Sequence, residues 1–181
     1  MTGGYAGIII DVDLSTTTIT STTFPEDILY QYLGGRGLAA KILWDRLGAN
    51  WKHVDPLGPE NLLLALTGPL TGYFSGARIC VSGKSPQSNG IIGSTLSGEF
   101  PVELKCSGWD GVIVSGQAQK PVYLYIDNGA VELRSAQHLW GLDGKETVKV
   151  LTKEIKTELD EKYKRFGIQK EPAMLYIGPA G

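Results

Sequence analysis

The sequence predicts a sheet-rich α+β domain, with about four helices packed on antiparallel or mixed sheets. Three observations carry this. Short apolar or β-branched runs recur along most of the chain, and about nine of them are strand candidates. Four segments instead show helical spacing, and they do not alternate with the strands as a βαβ protein requires. Glycine, at 24 of 181 residues, is well above its usual share of about 7% and gathers at the ends of the β-like runs, where turns use it.

In chain order, Gly7–Leu14 (GIIIDVDL) reads as a strand and Thr16–Thr23 as the second arm of a hairpin. Pro25 and Glu26 open a helix carrying Ile28, Leu29, Tyr32 and Leu33, which Gly34 and Gly35 interrupt. A second helix covers Gly37–Leu47, with Gly48 as its stop. Asn61–Thr67 and Ala77–Gly83 are strands, Asn89–Gly98 is a small, polar, glycine-rich stretch, and Phe100–Cys106 is a short helix. Gly111–Gly116, Pro121–Ile126 and Ala130–Leu133 are strands, the last two joined by an Asp127-Asn128-Gly129 turn. Val148, Leu151, Ile155 and Leu159 recur at helical spacing within a long helix over Gly144–Tyr163, which Gly167 follows. Ala173–Ile177 reads as a final strand.

Composition narrows the function. A net charge of −2 gives no basic surface for nucleic acid or an anionic membrane. No apolar run approaches the roughly 20 residues of a membrane helix, and the N-terminus lacks a signal-peptide pattern. Cys80 and Cys106 lack CxxC spacing; they read as two buried free thiols in a reducing, cytoplasmic setting, with no metal or cluster site made by this chain alone. Gly34-Gly35-Arg36-Gly37 is not a dinucleotide fingerprint, and Gly141–Glu146 is a helix start and not a P-loop. His53 and His138 lie far apart, with no third ligand at a metal-site spacing.

One region carries chemistry, Gly68 to Gly98. It holds Gly68-Pro69-Leu70-Thr71-Gly72, Ser75-Gly76-Ala77-Arg78, Gly83-Lys84-Ser85-Pro86 and Gly93-Ser94-Thr95-Leu96-Ser97-Gly98. Glycines in loops let backbone N–H groups approach an anion, and an arginine at their edge offers a planar fork to phosphate. That describes a site for a phosphate-bearing cofactor; ordinary turns beside a surface arginine are the alternative.

Ten segments in order resemble the N-terminal domain of aldehyde:ferredoxin oxidoreductases. They are Ile9–Leu14, Tyr32–Ala39, Asp55–Asn61, Gly68–Gly72, Ser82–Pro86, Glu103–Lys105, Gly108–Asp110, Lys120–Tyr123, His138–Gly141 and Ile177–Gly181. The resemblance implies that residues 1–181 are a tungstopterin-binding N-terminal domain. Tungsten (or molybdenum) would be held as a bis-molybdopterin. The full-length enzyme would oxidise aldehydes to carboxylic acids and pass electrons through a [4Fe–4S] cluster, not bound by this chain, to ferredoxin. Arg78 matches the family's cofactor-contacting arginine; Thr95 and Ser97 fall where members have Asn and Gly, and all three are the implied cofactor-binding residues. Arg36 matches a family arginine and reads as structural, paired with an acid such as Asp45 or Glu60. No catalytic acid or base and no metal ligand is expected from this chain, which alone would be inactive. Partners would be the remaining domains or a partner subunit, with homo-oligomer formation left open. Two other readings stand beside this one: a stand-alone binding or scaffold subunit, and the cofactor-wall subunit of a split enzyme.

Overall fold

The computed structural model describes residues 3–74, 77–163 and 171–178. The elements run β1 (Ile8–Asp13), β2 (Thr18–Thr23), α1 (Glu26–Tyr32), α2 (Gly35–Leu47), β3 (Leu63–Leu66), β4 (Arg78–Lys84), β5 (Ile91–Ser97), α3 (Phe100–Cys106), β6 (Gly111–Ser115), β7 (Val122–Asp127), β8 (Ala130–Ser135) and α4 (Gly144–Tyr163). A 3-10 turn, Gly48–Asn50, extends α2. The class is α+β, as the sequence predicts.

Six strands form one mixed sheet in the order β2-β1-β6-β3-β4-β5, in which only β1 and β6 run parallel. Strand alternation sends successive side chains to opposite faces. Ile9, Leu64, Leu66 and Ile113 face α2, which buries Leu38, Ala39, Ile42 and Leu43 against them. These helix positions lie one turn apart on one side of α2, so a single stripe covers the sheet. Burying each Leu or Ile of this stripe contributes about 1.5–3 kcal/mol. The opposite face carries Ile10, Val12, Ala65, Ile79 and Val112, covered by Leu104 of α3 and by the β7–β8 hairpin. A third cluster joins that hairpin to α4 through Leu139, Leu151 and Ile155.

The Asp127–Ala130 turn has Asn128 at φ 47° and Gly129 at φ 87°, the two left-handed residues a tight hairpin needs. Gly34 (φ 130°) joins α1 to α2 so closely to β3 that a Cβ there would stand 2.5 Å from the Thr67 carbonyl oxygen. Gly35 N–H donates to that same oxygen at 2.9 Å, which starts α2 two residues before the expected Gly37.

Two expectations need correction. Ala173–Ile177 is apolar enough for a strand, yet it pairs with no ladder. Its side chains pack instead: Met174 joins the α4 cluster, and the Tyr176 ring lies against Gly144. Cys106 is exposed at the end of α3, because Leu104 rather than Cys106 points to the sheet; only Cys80 is buried. Ser75, Gly76, Gly167 and residues 179–181 lie outside the described residues.

Candidate functional site

The junction of α1 with α2, the end of β3 and the β4–β5 edge enclose an open cleft of about 230 Å³. Leu33, Gly34 and Gly35 form one wall; Leu66, Thr67, Gly68 and Pro69 form the floor; Arg78, Cys80 and Thr95 form the far side. The sheet register explains why distant residues meet. Cys80 pairs with both Leu66 and Thr95, and Arg78 pairs with Ser97, so these side chains share the α2 face of the sheet. Thr95 lines the cleft; Ser97 stands opposite Arg78, just outside the lining.

Arg78 is exposed, and among the described residues its guanidinium has no hydrogen-bond or ion-pair partner. The turn that precedes it is fixed: Thr71 Oγ1 accepts from Gly68 N–H at 3.1 Å and donates to the Arg78 carbonyl oxygen at 3.4 Å. A Cβ on Gly68 would meet nothing within 4 Å, so its backbone borders open space. The cleft therefore combines bare backbone with one unspent planar cation, the chemistry of phosphate recognition.

The structure redistributes the Gly68–Gly98 region. Arg78 and Thr95 come together at the cleft, but Lys84 lies at the opposite end of β4 and is 4% exposed. Its ammonium donates to the Trp51 and Val54 carbonyls, each at 2.6 Å, and sits 5.3 Å from the Trp51 ring. Lys84 closes a loop and does not face a ligand. Thr95 and Ser97, expected in a glycine-rich loop, belong to the edge strand β5, because β4 supplies a complete partner for that stretch. Arg36 pairs with neither Asp45 nor Glu60. Its Nη2 donates to the Gly93 carbonyl of β5 at 2.6 Å, while Asp45 pairs with Lys41 one helical turn away.

Sequence reasoning missed Leu33, Gly34, Gly35, Thr67 and Cys80 as lining residues. The adjacent glycines between two helices were the available signal, read only as a break. Among the described residues, no group of three or more His, Cys, Asp and Glu could hold a metal ion, and no helix is long and apolar enough to cross a membrane.

These features define an α+β domain with one exposed arginine at the edge of an open cleft. The family profile of the aldehyde ferredoxin oxidoreductase N-terminal domain matches residues 9–181. The chain is 51% identical over 177 residues to the aliphatic sulfonate oxidoreductase, WOR-like subunit, of Pyrococcus furiosus, covering 98% of this chain and 28% of that protein. It is 42% identical over 154 residues to the tungsten-containing aldehyde ferredoxin oxidoreductase of Thermococcus kodakarensis, covering 84% and 25%. Among solved structures, the active site complex BamBC of benzoyl coenzyme A reductase with 1,5-dienoyl-CoA superposes with a TM-score of 0.81 at 38% identity, over 86% of this chain and 24% of that one. The chain belongs to the aldehyde ferredoxin oxidoreductase family, in which it corresponds to the N-terminal domain. It spans about a quarter of the length of these relatives.

Proposed function

We propose that residues 1–181 form the wall of a tungsten–bispterin site, within a cytoplasmic oxidoreductase that oxidises aldehydes to carboxylic acids and passes electrons through a [4Fe–4S] cluster to ferredoxin. The observation that carries this reading is the Arg78 guanidinium, without a partner among the described residues, at the edge of a cleft where the Gly68 backbone borders open space. The residues fit such a group as one wall of its site and not as its enclosure. At about 230 Å³ the cleft is smaller than the roughly 300–1,000 Å³ that surrounds a drug-sized ligand. The other walls would come from further domains or a partner subunit. Leu63, Ile92 and Leu96 are 55%, 50% and 38% exposed on the sheet face away from α2, and such uncovered apolar surface supports packing against another part of the enzyme.

When bound, the tungsten–pterin group supplies the redox chemistry itself. The chain's own residues bind and orient. Arg78 would give a charge-assisted contact to a phosphate of that group. Thr95 Oγ1 offers a donor and an acceptor to a pterin edge, a shorter reach than the asparagine the family resemblance implies at that place. Ser97, opposite Arg78 in the register, stands beside the cleft and adds a hydroxyl next to its lining. The backbone at Gly68, which borders open space, permits close approach.

In the intact protein, Arg78→Ala should weaken cofactor retention by about 10–100-fold, the loss of one hydrogen-bonded charge contact of about 1.5–3 kcal/mol. Tungsten and pterin content per protomer measure this, and unchanged content refutes the role of Arg78. The 181-residue chain alone should turn over no aldehyde. A second reading concerns substrate: the relative at 51% identity is named for aliphatic sulfonates. Parallel assays of the intact protein with aliphatic aldehydes and aliphatic sulfonates decide between the two.

A further inference from the structure

The segments Glu103–Lys105 and Gly108–Asp110 resemble family segments, yet neither lines the cleft. Their side chains instead meet behind it. Asp110 is 5% exposed. Its Oδ1 accepts from Ala6 N–H at 3.1 Å and from Lys105 Nζ at 2.5 Å, and its Oδ2 accepts from Gly7 N–H at 2.7 Å. Lys105 Nζ also donates to the Gly4 carbonyl at 2.6 Å and lies 5.7 Å from the Tyr5 ring centre. One ion pair thus grips the strap Gly4–Gly7 at four points.

The strap in turn touches one wall of the cleft and its floor. Tyr5 Oη reaches the Leu29 carbonyl at 3.1 Å and the Leu33 carbonyl at 2.8 Å, at the end of α1. Gly4 (φ 88°) packs so tightly on Pro69 that a Cβ would collide with the Pro69 carbonyl. Asp110 also acts directly: its carbonyl accepts from Thr67 N–H at 2.9 Å and from Thr67 Oγ1 at 2.6 Å. Thr67 O then accepts from Gly35 N–H at 2.9 Å. A buried pair gains little net stability against its desolvation, whereas removing one partner strands the other charge. A pair with so many backbone partners is suited to fixing geometry.

We propose that the Asp110–Lys105 pair is a latch that holds the N-terminal strap against the Leu33–Gly35 and Thr67–Pro69 segments, making Asp110 a positioning residue for the cofactor wall. This rests on the reading of the cleft given above. The latch acts through backbone and contacts no ligand itself, so its loss shows first as local loosening of those two segments.

The test uses the intact protein with Asp110→Asn, which keeps size and removes charge, and with Lys105→Met as the second variant should the first not accumulate folded. Amide hydrogen exchange is read in peptides spanning residues 31–36 and 63–68 and in the β7–β8 hairpin. Tungsten per folded protomer is read in parallel. Exchange at the Gly35 and Thr67 amides should rise by at least about tenfold, the hairpin should stay unchanged, and cofactor retention should fall about tenfold or more, as supporting residues of metal sites show. Unchanged exchange in both peptides overturns the latch. A uniform rise that includes the hairpin also overturns it, since that is general destabilisation. A local rise with full tungsten overturns its positioning role. Arg78→Ala, measured alongside, separates the two claims: full tungsten in that variant sinks the cleft reading, while the local exchange response still decides the latch.

Discussion

Arg78 and Arg134 are the same residue in opposite conditions. Arg134, on the hairpin, has spent its charge: it pairs with Glu132 and with both oxygens of Glu158, and stacks 3.7 Å from the Tyr125 ring centre. These contacts raise its pKa further, Glu158 first among the causes, and pull the Glu158 carboxyl below its usual value. Arg78, at the cleft, has no such partner among the described residues. A satisfied cation joins elements of the fold; an unsatisfied one held by a fixed turn is available to a ligand. The hairpin region is therefore scaffold, and the β4–β5 edge is where the site is proposed.

The largest test of this contrast concerns backbone. Gly34→Ala places a Cβ at a left-handed φ against the Thr67 carbonyl oxygen, and should cost about 2–3 kcal/mol in chemical denaturation together with loss of cofactor. Stability within about 0.5 kcal/mol of the parent would show that the α1–α2 junction yields, and that the cleft wall is less rigid than its contacts imply. Next, Arg134→Met should destabilise by about 1–2 kcal/mol and leave tungsten content alone, whereas Arg78→Met should change stability by less than about 0.5 kcal/mol and lose tungsten. Equal effects of the two substitutions on cofactor content would erase the distinction. The smallest effect is one of pH. The Glu158 carboxyl is depressed in the fold, so its contribution is present above the ordinary value of 4.5 and lost as pH falls through the lower folded value. Because Glu158 is partly exposed, this amounts to about 1 kcal/mol at most. Glu158→Gln should remove that acid-dependent loss in denaturation curves, and a retained loss would assign it elsewhere.

Burying Tyr5, with Asp110 nearby, pushes its phenol above the ordinary value, so it remains a donor to the Leu29 and Leu33 carbonyls across the neutral range. The strap contact is thus independent of neutral pH, unlike the carboxylate contacts of the hairpin at acid pH.

Much of the fold was legible because local signals agreed with the final packing. The α4 stripe of Leu151 and Ile155, the Asn128-Gly129 turn and the apolar β3 run each determine their own structure within a few residues. Strand β5 was not legible: it is an exposed edge, six of its seven residues are exposed, and no alternation marks it. The segment Ala173–Ile177 misled in the other direction, since apolar content cannot say whether a neighbouring strand exists. At the site, Arg78 stood out through its family match. Gly34, Gly35 and Thr67 did not, because the cleft arises only when the α1–α2 junction docks on the end of β3, more than thirty residues away in sequence. Arg36 illustrates the same limit: an acid such as Asp45 or Glu60 is the partner the sequence suggests, yet a backbone carbonyl on β5 accepts its hydrogen bond.

The central claim, that the cleft between the α1–α2 junction and the β4–β5 edge receives a phosphate-bearing pterin cofactor, is tested most directly by crystallography of the intact, tungsten-loaded protein. Cofactor density is expected over this cleft, with phosphate oxygens within hydrogen-bond distance of the Arg78 guanidinium. Cofactor density elsewhere, with Arg78 still facing solvent, would contradict it.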